Sequence, residues 1–190
     1  MLRYEGPVYG GRPVPLEVEG EPRLDQAIAL ADRFLGSGDL HQGLAIQDRH
    51  TLRHSLDRRD RQVRLVVGGF PAPGPQFGAL TWGRTIHFRP VPEAAGGSDT
   101  QQLPRNSLFY HIRTGAPRSP EGMAALLVHE LVHVEQQQRA FLGLPSFLAA
   151  YLVGWARVGF RYGPNPYEVA ARAREEAARR SFATLTSETP

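Results

Sequence analysis

His129 and His133 stand four residues apart, and Glu130 directly follows the first of them. On a helix, residues i and i+4 lie one turn apart on the same face, about 6 Å along the axis. Two imidazoles so placed can reach one tetrahedral zinc ion. A carboxylate beside the first histidine then sits where it can take a proton from a water that the metal activates. The chemistry this spacing predicts is metal-assisted hydrolysis, with Glu130 as general base and one Zn2+ per chain.

The surrounding residues favour a helix. Ser119 suits the capping position, Pro120 the first helical position, and Glu121 the positive N-terminal end. Met123, Leu126, Leu127, Leu131 and Val134 recur with helical period, and no breaker intervenes before Gly143. An ordinary amphipathic helix with two incidental histidines is the bland alternative. The agreement of start signal, periodicity and spacing argues against it.

Catalysis at zinc needs a third protein ligand and an open fourth position. The chain has no Cys, and no His follows His133, so a C-terminal third ligand must be a carboxylate. The candidates are Glu135, Glu168, Glu175, Glu176 and Glu188. Glu135 lies on the metal helix pointing away, and Glu188 falls in the terminal tail. Glu175 and Glu176 sit among arginines that read as a solvated face. Glu168 opens a second helix at Asn165-Pro166-Tyr167-Glu168, but Asn165-x-x-Glu168 is equally a capping box. Spacing alone leaves ligand and cap balanced.

Residues 129–137 read HELVHVEQQ, residues 165–170 read NPYEVA, and the run from Gly78 to Ile86 precedes both. This ordered set resembles small bacterial zinc peptidases of the minigluzincin type. It is similar to the metallopeptidase-like domain often encoded near extracellular contractile injection systems and polymorphic toxins. The resemblance covers residues 78–176. It implies that His129, His133 and Glu168 hold the metal, that Glu130 is the general base, and that the substrate is a peptide or protein. It further implies a zincin-like fold, in which the strand before the metal helix edges the cleft. By that analogy Thr81, Trp82, Gly83, Arg84, Thr85 and Ile86 form an edge strand to which substrate pairs. Tyr167 and His111 are candidate stabilisers of the oxyanion formed on hydrolysis. A zincin fold kept as a zinc-binding scaffold or interaction module, without physiological proteolysis, is the rival reading.

At 190 residues the chain suits one domain with a proper core, expected over 1–182, with 183–190 as a frayed tail. All 22 basic residues are Arg and the net charge is only +3. The densest basic run, residues 48–64, is interrupted by Asp48, Asp57 and Asp60, so it reads as a solvated face and no nucleic-acid partner is expected. The absence of Cys excludes disulfide and thiolate chemistry. The first residues lack an apolar stretch, so no Sec-type signal is read and a cytoplasmic location is expected, with a non-Sec route open. Residues 141–160 are apolar, but Pro145, Gly154 and Arg157 interrupt them. They read as a buried helix from Pro145 to Gly163 rather than a membrane span, with an interfacial helix as the alternative.

The elements that must position these groups follow from periodicity. Leu24 to Leu35 form an amphipathic helix ended by Gly36-Ser37-Gly38. Strands are expected near Val14–Val18, over Val63–Val67, over Ala79–Arg89, and over Leu108–Ile112, with a short helix at 51–58 and loops at Pro71–Pro75 and Pro90–Pro104. Within 79–89, Leu80, Trp82, Ile86 and Phe88 alternate with Thr81, Thr85 and His87, and Gly83 marks a bulge or tight bend. The predicted class is α+β: a small mixed sheet packed against an N-terminal helix and the metal helix, followed by a helical C-terminal part.

Overall fold

A computed structural model describes residues 14–15, 22–36, 63–69, 78–91 and 105–187. The helix expected at 51–58, the Pro71–Pro75 loop, most of the basic run at 48–64 and most of the Pro90–Pro104 loop lie outside the described residues. Among those described, the chain is α+β. Four strands, β1 (Val14–Pro15), β2 (Arg64–Val67), β3 (Ala79–Trp82) and β4 (Thr85–Phe88), accompany four helices. The helices are α1 (Pro22–Gly36), α2 (Pro120–Arg139), α3 (Leu144–Arg157) and α4 (Pro166–Ser187). Helix α4 therefore continues through 183–187, where a frayed tail was expected.

The sheet is mixed, in the order β1-β2-β4-β3. β2 runs parallel to β4, while β1–β2 and β3–β4 are antiparallel. The segment 79–89 is a hairpin rather than one long strand. Gly83 takes φ +62° at the first position of the two-residue turn, a conformation that favours glycine. The turn pairs Trp82 with Thr85 and Thr81 with Ile86, so odd positions of β3 face even positions of β4. That reverses the expected face of β3: Thr81 is buried with Ile86 and Phe88, and Trp82 is 44 % exposed. Residues 108–112 form no sheet strand. They make turns held by isolated bridges, Pro90 with Asn106 and Tyr110 with Pro117.

Helix α2 is the centre of the packing. The Ser119 hydroxyl caps it by accepting from the Gly122 N–H at 3.2 Å, and Pro120 occupies its first turn. Helices α1, α3 and α4 and strand β3 all pack on it. Covered on several sides, it buries Met123, Ala124, Ala125, Leu127, Val128, Val132 and Val134, a wider face than one apolar stripe provides. One core cluster joins all of these but Val132 to Leu24, Ile28 and Phe34 of α1, Ile86 and Phe88 of β4, and Ala178 and Phe182 of α4. Phe34 meets Phe182 edge to face at 5.9 Å.

Helix α3 departs from the buried helix expected there. It ends at Arg157 rather than Gly163, since Gly159 and Phe160 both turn to positive φ. Its buried residues are Phe147 and Gly154, whereas Leu152 and Val153 are exposed. The helix is a flap, attached along one narrow line. Gly154 makes the close approach possible: a Cβ there would lie 3.3 Å from Asn165 Oδ1 and 3.4 Å from Pro166 Cδ.

Candidate metal centre

His129 and His133 project from the middle of α2 toward the first turn of α4, their rings 5.0 Å apart. The Glu168 carboxylate meets both. Its Oε2 lies 3.6 Å from His129 Nε2 and its Oε1 lies 3.5 Å from His133 Nε2. One ligand atom from each of the three residues falls within 4.8 Å of the others, and all three residues are buried. A tetrahedral ion with bonds of about 2.0–2.1 Å spaces its ligand atoms about 3.3 Å apart, close to the separations seen here. Glu168 Oε2 is buried without a hydrogen-bond donor, although a carboxylate so enclosed ordinarily has one. A cation among the three residues would satisfy it. The donor set fits a divalent metal.

Each histidine is held by its other nitrogen. His129 Nδ1 meets Glu175 Oε2 at 3.0 Å, and His133 Nδ1 meets Gln136 Oε1 at 2.9 Å. With Nδ1 as donor to these acceptors, Nε2 is the nitrogen each ring turns toward Glu168, and in the neutral imidazole its lone pair is the one open to a metal. Gln136 is fixed in turn by donating to the Tyr167 carbonyl at 3.1 Å. Glu175 also accepts from Arg179 at 2.6 Å. The solvated-face reading of Glu175 is thus corrected: it lies two turns beyond Glu168, on the same side of α4, and reaches inward. Glu176 is the residue that faces solvent, paired with Arg180.

Glu168 does not close a capping box. Asn165 caps α4 by accepting from the Tyr167 N–H at 3.2 Å. The Asn165 N–H, which the box would assign to Glu168, donates instead to the Tyr162 carbonyl. Freed from capping, the Glu168 carboxylate accepts from the Tyr151 hydroxyl at 2.9 Å.

These contacts set the charge states of the metal-free cluster. Burial would raise the Glu168 pKa, but the two facing imidazoles and the Tyr162 hydroxyl outweigh it and hold the carboxyl well below its usual range. Burial would lower the pKa of His129, but Glu168, Glu175 and Glu130 prevail and push it up to about 10. His133 is raised against its burial by Glu168 and Glu130. Tyr151 and Tyr162 are pushed above the phenol range, first by burial and then by the Glu168 charge, so both stay protonated donors.

Glu130 is 4 % exposed, and its charge acts on both His129 and His133. The Thr81 hydroxyl donates to its Oε2 at 2.7 Å, which orients the carboxylate. Gln137 ties the same hairpin to α2, accepting from the Gly83 N–H at 2.6 Å and donating to the Thr81 carbonyl at 3.1 Å.

The six residues expected to form a substrate edge do not share one strand. Thr81 and Trp82 belong to β3, the sheet's edge, and Gly83 and Arg84 form the turn. Thr85 and Ile86 lie in β4, which is paired on both sides, and so cannot accept an added strand. Gln137 already occupies the Thr81 carbonyl and the Gly83 N–H. Tyr167 packs its ring against Phe147 at 5.2 Å and Tyr151 at 5.9 Å. His111 is exposed, and the charges that lower its pKa after burial are Arg118 and Arg179, not the histidine cluster. Tyr151 and Tyr162 are the phenols at Glu168. Nothing in the spacing of Tyr151 marked it; only the fold-back of α3 brings it there.

No family model, no curated protein and no solved structure matches this chain.

Proposed function

We propose that this chain is a zinc-dependent peptidase of gluzincin type with a zincin-like fold, akin to the minigluzincins. The observation that carries the reading is the convergence of His129, His133 and Glu168 beside Glu130, with a buried Glu168 oxygen that lacks a donor. In this reading the two Nε2 atoms and the Glu168 carboxylate hold the ion. When bound, zinc supplies Lewis acidity, polarising a carbonyl and making water acidic near neutral pH.

The remaining work belongs to the chain's own residues. Glu130, oriented by Thr81, receives the proton of the attacking water and passes it to the leaving nitrogen. Glu175 and Gln136 hold the imidazoles with Nε2 turned inward. Tyr151 and Tyr162, kept protonated, are the phenols nearest the centre; each is engaged with Glu168, and one would have to turn from it to donate to a developing oxyanion. Tyr167 and His111 leave that role, the first to packing and the second to its exposed position.

Close burial of the whole cluster supports a second reading, a structural metal site in a scaffold module without proteolysis, since hydrolysis needs access for substrate and water. Elemental analysis and a peptide-library assay separate the two. The peptidase reading expects one zinc per chain, loss of zinc in His129→Ala, and in Glu130→Gln retained zinc with cleavage down by at least about 100-fold. Zinc with no cleavage by the wild type across a broad library would leave the scaffold reading. Absence of zinc at micromolar supply would remove both.

A further inference from the structure

Every exposed position of α3 except Arg157 carries an apolar side chain: Pro145, Ala149, Leu152, Val153 and Ala156. Their spacing follows the helical period, so they form one stripe opposite the line of Phe147 and Gly154 that packs inward. The flanking turns add Phe141 and Leu142 before the helix and Phe160 after it, with Phe141 93 % exposed. Phe160 rests edge-on against Trp155 at 5.4 Å. Five of the seven large hydrophobic residues exposed among the described residues therefore belong to this one segment. Scattered apolar side chains need no explanation; a contiguous set does.

Charge indicates what covers it. Between Glu135 and Glu168 there is no acidic residue, and the only charged residues are Arg139, Arg157 and Arg161. Arg139 is engaged by Glu135, while Arg157 and Arg161 are exposed beside the end of the stripe. A second copy of the same face would offer these arginines no acidic partner. An anionic bilayer answers both features, with phosphates for the arginines and acyl chains for the stripe. Spanning is not at issue, because no single helix described is long and apolar enough to cross. Helix α2, which combines with α3 to pass that test by composition, is buried in the core.

We infer that α3 and its flanking turns form a peripheral docking surface for anionic phospholipid, lying in the interface plane with Leu152, Val153, Phe141 and Phe160 inserted. The opposite side of the same helix carries Tyr151 to Glu168, so docking holds the metal centre on the far side of α3 from the lipid. The inference does not depend on hydrolysis or on the identity of the metal.

The test is co-sedimentation of the full chain with vesicles of phosphatidylcholine alone and of equimolar phosphatidylcholine and phosphatidylglycerol. The expected result is binding at least tenfold stronger to the mixed vesicles. Leu152→Asp/Val153→Asp should reduce it at least tenfold while leaving the melting temperature unchanged, since both positions are exposed. Arg157→Ser/Arg161→Ser should abolish the preference for the anionic lipid. Failure of the wild type to bind the mixed vesicles overturns the inference, as does binding that survives the double Asp substitution. A dimer in solution that the double Asp variant dissociates, without vesicle binding, would instead make the stripe a self-interface.

Discussion

Glu175 offers the sharpest test of how the candidate centre is held. It faces the Nδ1 of His129 at 3.0 Å while Glu168 faces the Nε2, so one helix grips both nitrogens of a single imidazole. The two carboxylates are seven residues apart, about 10 Å along α4, which suits residues on opposite sides of one ring. Removing such a support from a metal-ligating histidine typically costs 10–100-fold in affinity, or about 1.4–2.7 kcal/mol. Glu175→Gln keeps an acceptor of the same size and loses only the charge. Because Arg179 already shares that charge, the expected loss is near the lower bound, about tenfold. Glu175→Ala removes the acceptor and should approach 100-fold. Competition titration of zinc against a chromophoric chelator at fixed pH and salt measures both. Glu176→Ala is the internal control: Glu176 points to solvent, and that variant should bind zinc like the wild type. Wild-type affinity in Glu175→Ala, or equal losses in the 175 and 176 variants, would refute the argument that the His129–Glu175 contact organises the site.

Thr81→Val preserves shape while removing the hydroxyl that orients Glu130, so zinc content should hold and kcat for any cleaved peptide should fall about tenfold or more; an unchanged kcat would remove Thr81 from the mechanism. Phe147→Ala deletes the ring packed against both Tyr151 and Tyr167 and should cost about 3 kcal/mol in chemical denaturation, against under about 0.5 kcal/mol for Leu152→Ala on the exposed face. Similar costs at both positions would contradict the flap-like attachment of α3. For the metal-free protein, the raised His129 pKa stabilises fully below its unfolded value of 6.5 and is lost as pH rises through about 10. The depressed Glu168 pKa stabilises above 4.5 and is lost below it. Metal-free stability should therefore peak between pH 4.5 and 6.5 and decline toward pH 10. Zinc-loaded protein, whose ligating histidines are neutral, should not follow the alkaline decline; melting curves with and without chelator that fall in parallel would count against the proposed ligands.

The sequence by itself determined the local features. Ser119-Pro120 starts α2, the four-residue spacing puts His129 and His133 on one face, and Asn165-Pro166 starts α4, because caps and helical period act over a few residues. It also carried the α+β class and the strand at 64–67. Whatever depended on contacts between distant segments was decided by the tertiary structure. Whether Glu168 closes a capping box turned on where the Asn165 N–H goes; Tyr162 takes it, which leaves the carboxylate facing the two histidines. Glu175 and Glu176 are indistinguishable neighbours in the sequence, yet the roll of α4 against α2 sends one to His129 and the other to water. The two-residue turn at Gly83 exchanged the faces of β3, which is why Thr81 reaches Glu130 and Trp82 does not sit in the core. The apolar composition of α3 suggested burial, but composition does not say which neighbours exist to bury a helix. Only one narrow line of it meets α2 and α4, and the stripe opposite is left to solvent by the packing of the other helices.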